Sequence, residues 1–209
     1  MPDRIFIVGC ARSGTTLLRR LFHAFDGVEV IPHEVSLDLF VDMPPPADGK
    51  ILVGKRTIRT LFSNCLPPLE GQRQLELIRA RDDMLTLCIY RDGRDVVESE
   101  YAPPVRWIES IHQMVTLGDA VRTLKYEDLV EHPDELQAGI AKACGLELLH
   151  RWSEYPAFFP GDDHADIYPP QPIGAHRVGK DPAKWRRLDP WHAPKMERLL
   201  NCLGYLGEA

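Results

Sequence analysis

Ile5-Phe6-Ile7-Val8-Gly9-Cys10-Ala11-Arg12-Ser13-Gly14-Thr15-Thr16 decides the fold. Four consecutive apolar residues ending at a glycine describe a short strand buried on both faces. Leu17, Leu18, Leu21, Phe22 and Phe25 then recur at helical spacing, up to Gly27. A buried strand, a glycine-containing turn and a helix start form an anion cradle, because backbone N–H groups converge where the helix dipole favours negative charge. Gly9 and Gly14 have the separation of the Walker A loop, but Thr15 stands at its lysine position and a cation comes earlier, at Arg12. A magnesium-dependent NTPase places that lysine on the transferring phosphates. The loop therefore points to a phosphate-like group handled differently, unless its glycines only make a strand–turn–helix junction.

The pattern repeats outward from this stretch. Val28 to Ile31, Ile51 to Val53, Leu85 to Tyr90 and Val121 to Lys125 read as further short strands. Helical spacing occupies about 70–81, 93–101 and 107–118. Pro133 to Gly145 is a helix with proline at its start, Asp134 and Glu135 in its first turn and glycine at its stop. Met196, Leu199, Leu200 and Leu203 mark a last helix. Strands alternating with helices predict a single α/β domain over residues 1–209, with a central, mostly parallel sheet flanked by helices. The stretch at about 153–176 breaks the rhythm with five prolines and four aromatic residues. It predicts an ordered loop, and a loop this long inside a compact domain is usually functional.

Composition narrows the class. The 209 residues carry a net charge of −6, which disfavours a general nucleic-acid binder. No apolar run is long enough to span a membrane, and the first residues do not read as a cleaved leader. Prolines number 18, well above the usual ~5%. Cys10, Cys65, Cys88, Cys144 and Cys202 are odd in number, widely spaced and without a C-x-x-C pair. That pattern predicts free thiols in a reduced, cytoplasmic setting and no structural zinc, with Cys88, Cys144 and Cys202 in the core.

A second stretch, Tyr90-Arg91-Asp92-Gly93-Arg94-Asp95-Val96-Val97-Glu98-Ser99, puts an arginine at the carboxyl end of a strand, where open α/β sheets bind ligands. A guanidinium there offers a bidentate contact to phosphate. Together, Arg-Ser-Gly-Thr-Thr after the first strand and Arg-Asp-x-Arg-Asp-Val followed by a serine resemble the PAPS-dependent sulfotransferases. PAPS is 3′-phosphoadenosine 5′-phosphosulfate. The resemblance covers nearly the whole chain and implies their P-loop NTPase-like fold. It implies that Arg12, Ser13, Gly14, Thr15 and Thr16 hold the 5′-phosphosulfate, and that Arg91 and Ser99 bind the 3′-phosphate. Many cytosolic members carry a tryptophan after the two threonines; Leu17 stands there. Lys125-Tyr126-Glu127-Asp128-Leu129 resembles the family's Tyr-Glu-Asp-Leu element, which implies Tyr126 as an adenine contact, with Glu127 and Asp128 as helix caps. Arg177-Val178-Gly179-Lys180 resembles the basic segment over the 3′-phosphate and adds Arg177 and Lys180 to the cofactor-binding candidates. Leu203-Gly204-Tyr205 is similar to the end of tyrosylprotein and bacterial members.

Sulfuryl transfer needs a base for the acceptor hydroxyl, a cation at the leaving oxygen and in-line alignment. His33-Glu34-Val35 resembles the segment of heparan and tyrosylprotein sulfotransferases that supplies a glutamate base. Glu34 is accordingly the candidate base, already ionised at neutral pH if unperturbed, with His33 in reserve. Lys55, after the third strand, resembles the family lysine at the leaving group, and Arg12 would share that charge. The sulfuryl group carries less charge than a phosphoryl group, so a metal is not demanded. The expected reaction passes the sulfuryl group from PAPS to a hydroxyl on a small molecule, carbohydrate or peptide and leaves PAP, 3′,5′-adenosine bisphosphate. A P-loop kinase or NTPase, weakened by Thr15, and a non-catalytic nucleotide-binding module are the alternatives. The proline-rich connections, including 153–176, are expected to frame the acceptor pocket.

Overall fold

The computed structural model describes residues 2–57, 68–99, 102–162, 165–166, 169–173 and 191–206. Five strands, β1 (Arg4–Gly9), β2 (Val28–Val30), β3 (Ile51–Thr57), β4 (Met84–Tyr90) and β5 (Arg122–Lys125), form one sheet in the order β2-β3-β1-β4-β5. Every pairing is parallel. Parallel neighbours need crossovers, and these carry α1 (Thr15–Leu21), α2 (Leu37–Asp42), α3 (Pro68–Arg79), α4 (Gly93–Glu98) and α5 (Pro104–Leu117); α6 (Tyr126–Glu131), α7 (Pro133–Cys144) and α8 (Ala193–Cys202) follow β5.

Both sheet faces are covered, which explains the unbroken apolar runs of the strands. Phe6 and Val8 of β1 point to one side, with Phe40 of α2, Trp107, Ile111 and Met114 of α5, and Met196 and Leu200 of α8. Ile5 and Ile7 point to the other, with Leu18 and Leu21 of α1, Ile140 and Cys144 of α7, and Trp152. Arg4, buried at the start of β1, donates to the carbonyls of Phe40 (3.0 Å) and Met43 (2.7 Å) and so pins the end of α2 to its face.

The structure adjusts several sequence expectations. Strand β3 runs on to Thr57, so Lys55 lies within the strand, opposite Ile7 of β1, rather than after it. Two short helices, α2 and α6, carry too few turns for a periodic signal. Cys88 and Cys144 are buried as expected, but Cys202 is exposed. The inward face of α8 is set by Met196 and Leu200, and a residue two places on from Leu200 points away from it. Cys65 and Tyr168 lie outside the described residues.

The strands' carboxyl ends gather Gly9, Val30, Thr57, Tyr90 and Lys125 at one edge. The connection after β1 leaves toward β2, and the one after β4 leaves toward β5. The crevice between β1 and β4 is therefore a topological switch point, where open α/β sheets bind ligands.

Candidate active site

The phosphate loop is set by its backbone. Arg12 (φ 71°) and Gly14 (φ 92°) are both left-handed, so the chain curls twice within three residues. Such curls gather N–H groups into anion-binding concavities. Gly14 is required on two counts. Its φ disfavours any side chain, and a Cβ there would lie 2.5 Å from Cδ2 of Tyr126. Gly9 is as tight, since a Cβ would meet the Ile89 carbonyl oxygen at 2.3 Å. The loop thus nests between the ends of β1 and β4 and the first residue of α6. Ser13 is fully buried in it, and its hydroxyl has no hydrogen-bond partner among the described residues.

Three predicted residues meet beside the loop. Lys55 Nζ donates to Glu34 Oε1 at 2.7 Å and to Thr16 Oγ1 at 2.9 Å. Gly54, the neighbour of Lys55, faces the opposite side, where a Cβ would strike the Phe40 ring at 2.6 Å. Alternation along the strand then turns Lys55 toward α1. The Lys55 amine is held below its ordinary proton affinity by burial, against the opposing pull of Glu34. Glu34 sits on an arch between β2 and α2, anchored to β3 at both ends: Ile31 N donates to Val53 O (2.9 Å) and Val35 N to Lys55 O (3.2 Å). His33 is exposed on the same arch. Ser36 then caps α2, its hydroxyl accepting from Leu39 N at 3.4 Å.

The second motif closes the other side of the crevice. Arg91 donates to the carbonyl of Arg12 at 3.2 Å and to Asp95 at 3.1 Å, and its Cζ lies 4.3 Å from the centre of the Tyr126 ring. Tyr126 is buried between the Gly14 turn and this guanidinium. Ser99 ends α4, with its hydroxyl donating to Val96 O of its own helix at 2.6 Å. Arg177 and Lys180 lie outside the described residues.

Sequence reasoning missed the supports. Trp107 Nε1 donates to the Arg91 carbonyl at 3.0 Å. Its ring fills the space that a Cβ on Gly93 would need, 2.6 Å away. Glu127, read as a helix cap, instead accepts from Asp92 N (3.1 Å) and from the Tyr205 hydroxyl (2.7 Å). Arg94 pairs with Asp92, and Asp92 caps α4 by accepting from Arg94 N at 2.8 Å. No spacing rule joins residues 91, 107, 127 and 205; only the sheet's crossovers do.

No protein-family model matches the chain, and no curated protein sequence does. Solved structures do. The sulfotransferase domain from the Synechococcus PCC 7002 olefin synthase superposes with a TM-score of 0.67 at 17% identity, covering 99% of this chain and 96% of that one. The chain has the sulfotransferase fold. A sulfotransferase domain from the curacin biosynthetic pathway matches with a TM-score of 0.65 at 16% identity over 99% of both chains. The expected α/β, P-loop-like sulfotransferase architecture therefore holds for the described residues. No helix among the described residues is long and apolar enough to cross a membrane. Among the same residues, no group of three or more His, Cys, Asp and Glu is placed to hold a metal ion.

Proposed function

We propose that this protein transfers the sulfuryl group of PAPS to an acceptor hydroxyl by in-line attack. The observation that carries the reading is the continuous hydrogen-bonded chain from Glu34 through Lys55 to Thr16. A carboxylate, an amine and the phosphate-loop hydroxyl stand within one bond of each other at the strands' carboxyl edge. The fit of the donor rests on the buried, partnerless Ser13 hydroxyl and on a doubly left-handed turn of the kind that binds anions.

In this reading Glu34 takes the acceptor's proton as its oxygen bonds to sulfur and the bond from sulfur to the bridging oxygen breaks. Lys55 donates a proton to that oxygen. Burial makes it a readier donor than a surface lysine. Arg12 shares the charge developing there. Ser13, Gly14, Thr15 and Thr16 hold the 5′ end; Arg91 and Ser99 take the 3′-phosphate, and Arg177 and Lys180 cover it. Tyr126 borders the adenine and supports Arg91 from beneath. Donor and product are PAPS and PAP, and the acceptor is a hydroxyl on a small molecule, sugar or peptide. The free cysteines agree with a cytoplasmic setting.

The test is a thermal-shift comparison, followed by an acceptor screen with sulfur-labelled PAPS. PAP without magnesium is expected to raise Tm by roughly 5–10 °C at a hundredfold excess over Kd. ATP, with or without magnesium, is expected to do little. Stabilisation by magnesium-ATP and none by PAP would overturn the reading in favour of a kinase or NTPase.

A further inference from the structure

The last turn of α1 carries a charged cluster that the reaction above does not use. Arg19 and Arg20 are both buried, and both bind one carboxylate, Asp162, within the proline- and aromatic-rich stretch. Arg20 Nε donates to Asp162 Oδ2 at 2.8 Å and its Nη2 to Oδ1 at 2.7 Å. Its Cζ also lies 4.9 Å from the centre of the Phe159 ring. Arg19 gives Nη2 to Asp162 and turns its other nitrogen elsewhere: Nη1 donates to the carbonyls of Ile31 (3.2 Å) and Pro32. Those carbonyls begin the arch that carries Glu34.

We infer that Arg19 is a positioning residue for Glu34, itself set in place by Asp162; the inference rests on the reading of Glu34 as the base. The arch is tied to β3 at Ile31 and Val35, but nothing in β3 holds the carbonyls of Ile31 and Pro32. A planar guanidinium can bond two carbonyls and a carboxylate at once, which an ammonium cannot do with the same fixed geometry. Arg19 also lies three residues after Thr16, on the same side of α1. One helix therefore fixes the Lys55 amine through Thr16 and the base's backbone through Arg19. The stretch at about 153–176, expected to frame the acceptor, is tied to the base through Asp162 and the same side chain. Gly161 (φ 100°) adopts the left-handed backbone that precedes Asp162.

Hydrogen–deuterium exchange on the full chain tests this directly in the wild type and in Arg19→Lys, with and without PAP. In Arg19→Lys, exchange at residues 33–36 is expected to rise about tenfold, as a local opening would allow. PAP affinity is expected to stay within about twofold. Turnover of PAPS, with the best acceptor of the screen or with water, should lose about tenfold in kcat at unchanged KM for PAPS, as for a displaced reacting group. Wild-type exchange at 33–36 in folded Arg19→Lys overturns the inference, and so does a loss of PAP affinity as large as the loss in kcat. Should Arg19→Lys not fold, Asp162→Asn carries the test. Raised exchange at 33–36 supports the coupling, and unchanged exchange refutes it. If neither wild type nor variants bind PAP, the sulfotransferase reading fails, while the exchange data still decide whether Arg19 holds the arch.

Discussion

Glu34, on the connection after β2, and Lys55, within β3, are partners, and their 2.7 Å contact sets what each can do. Replacing Glu34 with Gln keeps the size of the side chain and a hydrogen-bonding oxygen but removes the basic oxyanion. PAPS turnover in Glu34→Gln is expected to fall by about 10²–10⁴, the range of a lost general base. PAP affinity by calorimetry should hold within about twofold, since in the proposed reaction Glu34 meets the acceptor and not the nucleotide. Undiminished turnover would remove Glu34 from the role and move attention to the exposed His33. At this scale the sequence was informative for residues in short motifs and silent for others. Arg12, Ser13 and Arg91 announce themselves by what precedes and follows them. Trp107 and Asp162 do not, because their partners lie 16 and 142–143 residues away.

Among the elements, the phosphate turn and α6 behave as one piece. Gly14 has no room for a Cβ because the Tyr126 ring fills the space, and that ring in turn supports Arg91. Gly14→Ala must therefore adopt an unfavourable backbone and displace Tyr126 as well. The left-handed backbone alone costs about 1–2 kcal/mol. Tm should drop by roughly 2–8 °C. If the two motifs are coupled through Tyr126, PAP affinity should fall with it by at least about tenfold, for want of a well-placed phosphate contact. A variant that loses stability but binds PAP normally would uncouple the turn from Arg91. The strands and long helices were legible because burial on two faces, or on one stripe, leaves a period in the sequence. The short helices α2 and α6 were not, because six residues hold less than two turns.

Over the whole molecule, the net charge of −6 says little about the ligand, since Arg12, Lys55 and Arg91 gather at one sheet edge, two of them paired there with Glu34 and Asp95. The last turn of α1 carries a second charged cluster, which also contains His23. Burial, and then Arg19, hold the His23 imidazole below its ordinary proton affinity, with Asp162 opposing; the ring packs edge-on against Phe159. The folded state thus binds that proton less readily than the unfolded chain. His23 contributes stability that is present above the unfolded value of about 6.5 and is lost as pH falls below it. Tm measured from pH 7.5 to 5.0 should decline less steeply in His23→Gln than in the wild type, and parallel curves would remove His23 from the acid response. The α/β sheet, the phosphate turn and the order of the two arginine motifs are legible in the chain alone, because each is written in contiguous residues whose period or backbone demands are local. Folding in three dimensions is what joins Lys55 to Glu34 and Thr16, braces the Arg91 loop with Trp107 and Glu127, and returns Asp162 to Arg19. Each of those contacts joins residues that only the packing of the connections around the sheet brings together, and no local pattern records where two distant side chains meet.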